Sequence, residues 1–163
     1  MKKKQIILNQ EEINNKINRI AFSIIEDYYD TKSITLIGFC KNGYRIAEKL
    51  KNIIEKKHSI KISIHSIKEI RKDQYKIDPP LNEKNCHTTF LVDDVLKSGR
   101  TIIYGIKEIL THDVQSLKTI ILVNRNHNLF PIGVDYVGLN LSTTFNDHIE
   151  VILKEDEEVV YLT

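Results

Sequence analysis

Cysteine is scarce: Cys40 and Cys86 are the only two in 163 residues. Neither belongs to a CxxC or Cys/His pattern, so nothing suggests a zinc site, and both thiols are expected to stay reduced. The six histidines are scattered without ligand spacing. No apolar run approaches the ~20 residues that cross a bilayer, so a membrane span is not expected. The basic start Met1-Lys2-Lys3-Lys4 is followed by a short apolar stretch, Gln5 to Leu8, and then by Asn9-Gln10-Glu11-Glu12. That order lacks a signal peptide's long apolar segment, so a cytoplasmic location is expected. Net charge is only +2, too small to require a nucleic-acid partner. There is no internal repeat or low-complexity tract. Gly38 to Gly43 has the glycine spacing of a Walker A loop, but Tyr44-Arg45 stands where Lys-Ser/Thr is required, and no GxGxxG follows a strand.

What is present suits one globular domain, with 41% hydrophobic and 28% charged residues. Ile13, Ile17, Ile20, Ala21, Ile24, Ile25 and Tyr28 recur at helical spacing. Asn9 and Glu12 have the offset of a capping box, so a first helix is predicted from there to about Asp30. Ser33 to Phe39 reads as a buried strand, Gly38 to Gly43 as a loop, and Tyr44 to about His58 as a second helix. Ile60 to Ile67 alternates apolar with polar, the pattern of a half-covered strand. Lys68 to Lys84 is charged, aperiodic and holds Pro79-Pro80, which predicts a long flexible loop. A strand at Thr88 to Val92, a helix at Thr101 to Leu110 and a strand at Leu117 to Val123 follow, with short strands near the C-terminus. Alternating strands and helices predict an α/β fold, a mainly parallel twisted sheet flanked by helices. A small C-terminal hood is expected over about 124–163.

Thr89 to Thr101, TFLVDDVLKSGRT, carries the most chemistry. An apolar strand runs into two carboxylates, then a small-polar turn, then a helix. Ligands of open α/β sheets gather at the carboxyl ends of strands, which places Asp93 and Asp94 there. Lys97 to Thr101 lies at a helix N-terminus, where free N–H groups and the helix dipole favour an anion such as phosphate. Carboxylates beside such a cradle suit ribose hydroxyls, or Mg²⁺ held partly through water. The plain alternative is that Asp94 or Ser98 merely caps the helix, and for an isolated Asp-Asp pair that reading would prevail.

LVDDVLKSGRT resembles the phosphoribosyl pyrophosphate signature of type I phosphoribosyltransferases. Wider similarity runs to the PyrR subfamily of bifunctional pyrimidine-operon regulators and uracil phosphoribosyltransferases. It covers Ile7 to Asp27, Gly38 to Gly43, Ile70 to Gln74 and Val123 to Asn140. The resemblance implies the following roles. Asp93 and Asp94 bind the ribose hydroxyls and Mg²⁺. Val95, Leu96, Lys97, Ser98, Gly99, Arg100 and Thr101 hold phosphoribosyl pyrophosphate, the last five cradling its 5-phosphate. Cys40, Lys41, Asn42 and Gly43 form the pyrophosphate loop, and Arg71 closes over it. Arg125, Ile132, Tyr136 and Val137 hold the base, largely through backbone groups. Lys97 stands where purine enzymes commonly carry an Asp, and a charged Lys cannot accept a proton, which favours uracil over a purine. A nucleoside monophosphate product and a homodimer or higher homo-oligomer are implied as well.

The chain also departs from that pattern. Cys40-Lys41-Asn42-Gly43 replaces a Lys-Thr-Arg-Gly loop, removing an arginine able to grip phosphate bidentately. Asn124 replaces an Asp. Gly133, Leu139 and Phe22 stand where RNA-binding members tend to carry basic residues or His, so RNA binding is expected to be weak or absent. His127 reads as a loop residue, and Phe22, Tyr28 and Tyr29 as core or dimer contacts.

Overall fold

Asn9 and Glu12 form the capping box their offset predicts: Glu12 N–H donates to Asn9 Oδ1 at 2.9 Å and Asn9 N–H to Glu12 Oε2 at 2.8 Å. This is seen in a computed structural model that describes residues 4–82, 84, 86–142 and 147–163. The capped helix α1 is Gln10–Asp27, following a short strand β1 at Gln5–Leu8. Helix α1 buries Ile13, Ile17, Ile20, Ala21 and Ile24, the stripe its periodicity specified. In chain order there follow β2 (Ser33–Phe39), α2 (Cys40–Lys57), β3 (Lys61–Arg71), β4 (Gln74–Asp78), β5 (Thr88–Leu96), α3 (Arg100–Ile109), β6 (Ser116–Asn124), β7 (Tyr136–Asn140), β8 (Ile149–Leu153) and β9 (Glu158–Leu162).

The main sheet has the order β4-β3-β2-β5-β6-β7, parallel throughout except that β4 returns antiparallel to β3. Both faces are covered, which is why its inner strands read as continuous apolar runs rather than alternating ones. Side chains on one face, including Ile34, Leu36, Phe90, Val92 and Ile120, pack against α1 and α2. Those on the other, including Ile37, Phe39, Leu91 and Ile121, pack with Ile102 and Ile109 of α3. Each such fully buried aliphatic or aromatic side chain contributes roughly 1.5–3 kcal/mol relative to exposure. No helix among the described residues is long and apolar enough to cross a membrane.

Four expectations need correction. Residues 40–43 are not a loop but the first turn of α2, with Gly43 buried against β5. The expected flexible loop is largely a β-hairpin: β3 runs on to Arg71 and β4 pairs back on it, Glu69 facing Tyr75. Its turn holds Asp73 at a left-handed φ of 60°. Tyr75 and Ile77 turn inward while Gln74, Lys76 and Asp78 stay exposed. That is a strand's alternation, which the density of charge and the absence of a turn glycine had hidden. The hood is built differently too. Strand β7 belongs to the main sheet, and a second sheet, β1-β9-β8, takes its edge from the N-terminal strand. Finally, β5 continues through both acids to Leu96, because Val95 and Leu96 pair with Val123 and Asn124 of β6. Glu83 of the expected loop, Asn85 just after it, and Thr143 to Asn146 of the expected hood lie outside the described residues. Lys49 fastens the second sheet to the helices, its Nζ bonding Glu158 Oε2 at 2.6 Å and Asn14 Oδ1 at 2.8 Å.

Candidate active site

The carboxyl end of β5 and the start of α3 enclose a cavity of about 280 Å³. Asp93, Asp94, Val95, Leu96, Lys97, Ser98, Gly99 and Thr101 line it, joined by Ile102 and by Ile149 of β8. Gly99 has a φ of +84°, a left-handed value that strains any residue with a Cβ. A Cβ there would also lie 3.2 Å from Ile132 Cγ1. The turn therefore requires glycine, and it leaves the α3 N-terminus facing the cavity without a side-chain cap on its N-cap residue. Ser98 Oγ does accept a bond from Arg100 N–H at 3.3 Å, a local turn contact. Asp94 lies too far back in β5 to cap α3, which removes half of the plain capping alternative.

The two acids are held by neighbouring groups. Asp94 N–H donates to Asp93 Oδ1 at 2.9 Å, and Val95 N–H to Asp94 Oδ1 at 2.7 Å. Asn42 Nδ2 donates to Asp94 Oδ2 at 2.7 Å and to the Val151 carbonyl at 2.9 Å. Asn42 thereby joins the first turn of α2, the acidic pair and the second sheet. Its amide is committed to protein groups, a feature that its spacing in the chain did not reveal.

Other expected site residues are not brought to this cavity. Arg100 is the only member of the 93–102 run that does not line it. Cys40, at a φ of 47°, and Lys41 line a separate groove with Arg45 and Lys68. Arg71 ends β3 and is exposed. Among the residues expected to hold the base, Tyr136 makes its side-chain contacts on the α1 side of the sheet. Its hydroxyl donates to Asp27 Oδ2 on α1 at 2.6 Å and its ring packs near Phe90, which belong to the α1 face of the sheet. The Val137 carbonyl accepts from Arg19 Nη2 at 2.6 Å. Ile132 has its N–H on the Phe130 carbonyl and its own carbonyl on Asn128, so its backbone is also engaged. Arg125 is buried, its N–H 3.3 Å from the Leu96 carbonyl. Ile149 was missed entirely, since nothing in its local sequence marks it as a cavity residue.

The profile of the phosphoribosyl transferase domain matches residues 5–156. The chain belongs to the phosphoribosyltransferase family. It is 32% identical to the bifunctional protein PyrR of Clostridium novyi, over 95% of this chain and 93% of that one. It is also 32% identical to the PyrR of Fusobacterium nucleatum, over 98% of each. Among solved structures, the hypoxanthine phosphoribosyltransferase of Trypanosoma cruzi superposes with a TM-score of 0.79 at 21% identity, covering 97% of this chain and 95% of that one. A hypoxanthine-guanine phosphoribosyltransferase from Bacillus anthracis gives 0.69 at 19% identity, covering 85% and 84%. At those identities the structures establish the type I phosphoribosyltransferase fold.

In this phosphoribosyltransferase the electrostatics of the acidic pair set a pH dependence. Burial, reinforced by the negative charge of Asp94, holds the Asp93 carboxyl well above its ordinary value of 3.8. As pH rises from about 4, the unfolded chain ionises at this position while the folded chain still holds its proton. Asp93 therefore destabilises the fold increasingly with pH until its own raised value is passed. Asp93→Asn keeps the acceptor for Asp94 N–H and removes that penalty. In metal-free buffer its melting temperature should exceed wild type at neutral pH, with the gap closing towards pH ~4. A gap that stays constant across that range would contradict this account.

Among the described residues no cluster of three or more His, Cys, Asp or Glu side chains is arranged to hold a metal. Two adjacent carboxylates with open space beside them are instead an all-oxygen donor pair. That pair fits Mg²⁺, which takes one or two carboxylates and completes its shell with water and substrate phosphate oxygens.

Proposed function

We propose that this protein transfers the 5-phosphoribosyl group from phosphoribosyl pyrophosphate to uracil, giving UMP and pyrophosphate. The observation that carries this reading is the placement of Asp93 and Asp94 in one cavity with the left-handed Gly99 turn at the α3 N-terminus. Backbone N–H groups of Lys97 to Thr101 would bind the 5-phosphate, supported by the helix dipole. The acids would accept hydrogen bonds from the ribose hydroxyls and face the positive charge that develops on the sugar as the C1–oxygen bond to pyrophosphate breaks. The new bond forms from a ring nitrogen of the base to C1, and that nitrogen loses its proton. Mg²⁺, held by Asp93 and Asp94 directly or through water, would neutralise charge on the departing pyrophosphate. Lys97 on the cavity wall disfavours purines, whose ring nitrogen it cannot relieve of a proton while charged.

The same reading takes the chain as a single phosphoribosyltransferase domain in the cytoplasm, assembled as a homodimer or higher homo-oligomer. Cys40, Lys41, Asn42, Gly43 and Arg71 would meet the pyrophosphate, and the Arg125 to Val137 segment the base. A second reading, a nucleotide-binding regulator with little turnover, draws support from the commitment of Asn42 to Asp94 and Val151. Pyrophosphate release from phosphoribosyl pyrophosphate and Mg²⁺, with uracil, hypoxanthine and guanine in parallel, separates the two. Uracil-dependent release is expected. Silence with every base, alongside tight UMP binding, would replace the enzyme by the regulator.

A further inference from the structure

Arg100 sits in the middle of the phosphate turn yet takes no part in the cavity wall. Its guanidinium meets Asp73 at the tip of the β3–β4 hairpin in a two-pronged contact, Nη2 to Oδ2 at 2.6 Å and Nε to Oδ1 at 3.3 Å. The same group lies 5.0 Å from the Tyr104 ring centre and 6.0 Å from that of Phe130. Tyr104 in turn stacks on Tyr75 of β4, their centres 6.5 Å apart. Phe130 belongs to a loop whose Leu129 and Phe130 N–H groups both donate to the Ser98 carbonyl, at 2.9 and 3.1 Å. Three segments distant in sequence therefore converge on one side chain: the hairpin tip, the phosphate turn and the 126–132 loop. On the hairpin side, Asp73 is pre-set for this contact. Its φ of 60° is a conformation that Asp and Asn tolerate better than most residues, and its N–H is held by Glu69 Oε1 at 2.7 Å.

We propose that Arg100 and Asp73 are positioning residues, a clasp that fastens both the β3–β4 hairpin and the 126–132 loop to the phosphate turn. Arg100 acts on the hairpin by charge and on the loop through its flat face, so the two attachments separate by substitution. The pair is largely at the surface, with side-chain exposures of 48% and 26%, so it is a weak and salt-sensitive fastening. That suits a part that opens for substrate and recloses. Its catalytic consequence rests on the phosphoribosyl reading above, because only then does the hairpin's Arg71 have a pyrophosphate to meet.

Amide hydrogen exchange on the full chain tests the clasp whether or not the protein turns over. Asp73→Asn keeps the left-handed tip and removes the charge. It should speed exchange across residues 69–76 by about 1.5- to fivefold, the range of an exposed ion pair, and leave Leu129 and Phe130 unchanged. Arg100→Met should speed both sets. Added salt should speed the hairpin amides in wild type and have no such effect in Asp73→Asn. In assays, both variants should raise the KM for phosphoribosyl pyrophosphate more than they lower kcat. Hairpin exchange at the wild-type rate in both variants would overturn the proposal, as would Leu129 and Phe130 amides indifferent to Arg100→Met. Absence of turnover with altered exchange would leave the clasp in place and remove only the enzymatic reading.

Discussion

Asp94→Asn should lower kcat/KM for phosphoribosyl pyrophosphate by roughly 10²- to 10³-fold, the scale on which removing one pre-set electrostatic group from a water-poor site acts. Asp94 stands at the junction of three elements. Its Oδ1 takes the Val95 N–H and its Oδ2 takes Asn42 Nδ2. The substitution removes the negative charge that would face the developing positive ribose. It also allows an amide NH₂ to be turned towards the Asn42 NH₂, setting donor against donor. Either the introduced amide presents its oxygen to Asn42 and withdraws it from Val95, or Asn42 lets go and its hold on the Val151 carbonyl loosens. The new side chain is isosteric and sits at a cavity rather than in the core, so the fold should survive. Steady-state kinetics with a thermal melt of the same preparation checks this. Activity retained within about tenfold of wild type would mean that Asp94 does not face the reacting ribose.

Gly43→Ala should have a large effect on the fold itself, and it should disable the site as well. A Cβ at position 43 would lie 2.4 Å from the Val92 carbonyl oxygen, far inside contact distance. Both atoms belong to backbone, so no rotamer change relieves the clash, and the α2 N-terminus must move off β5. Forcing a group into a closely packed interior costs about 1–3 kcal/mol and sometimes more. This site, backbone against backbone, belongs at the upper end, a fall of roughly 6–12 °C in melting temperature for a chain of this size. Because Asn42 precedes Gly43 and Val92 precedes the acids, the shift also pulls the Asn42 to Asp94 bond apart. Differential scanning calorimetry reads the first effect and pyrophosphate release at a temperature where the variant is still folded reads the second. A melting temperature unchanged from wild type would show that α2 approaches β5 less closely than the structure has it.

The parts of this protein that could be read without a fold are those in which neighbours in sequence are also partners in space. Asn9 and Glu12 satisfy each other's backbone three residues apart, and the isoleucines of α1 reach the core because a helix puts every third or fourth side chain on one face. The inner strands declare themselves by unbroken apolar runs, since a parallel sheet covered on both sides has no polar face. The strand, Asp93-Asp94, Gly99 turn and helix of the candidate site are likewise one continuous stretch, whose local geometry sets an uncapped helix N-terminus a few residues after two carboxylates.

What lay beyond such reading depends on residues that meet only after folding. The β3–β4 hairpin looked like a loop because its stabilising side, Tyr75 on Phe39 and Tyr104, is supplied by other elements while its own sequence is mostly charged. Asn42 looked like a lost arginine, yet its two bonds reach 52 and 109 residues away, to Asp94 and Val151. Tyr136 gives no sign in its own neighbourhood of the Asp27 carboxylate on α1 that its hydroxyl meets, 109 residues earlier. Arg100 sits inside the phosphate signature but bonds to Asp73, 27 residues earlier. By itself, then, the sequence determined the helices, the inner strands and the strand, turn and helix order of the segment from Asp93 to Thr101, because local hydrogen bonding and periodic burial are encoded by near neighbours. Tertiary structure alone decided which long-range partners hold the acids, close the cavity with Ile149 and clasp the hairpin, because those contacts follow from how strands are ordered and helices packed.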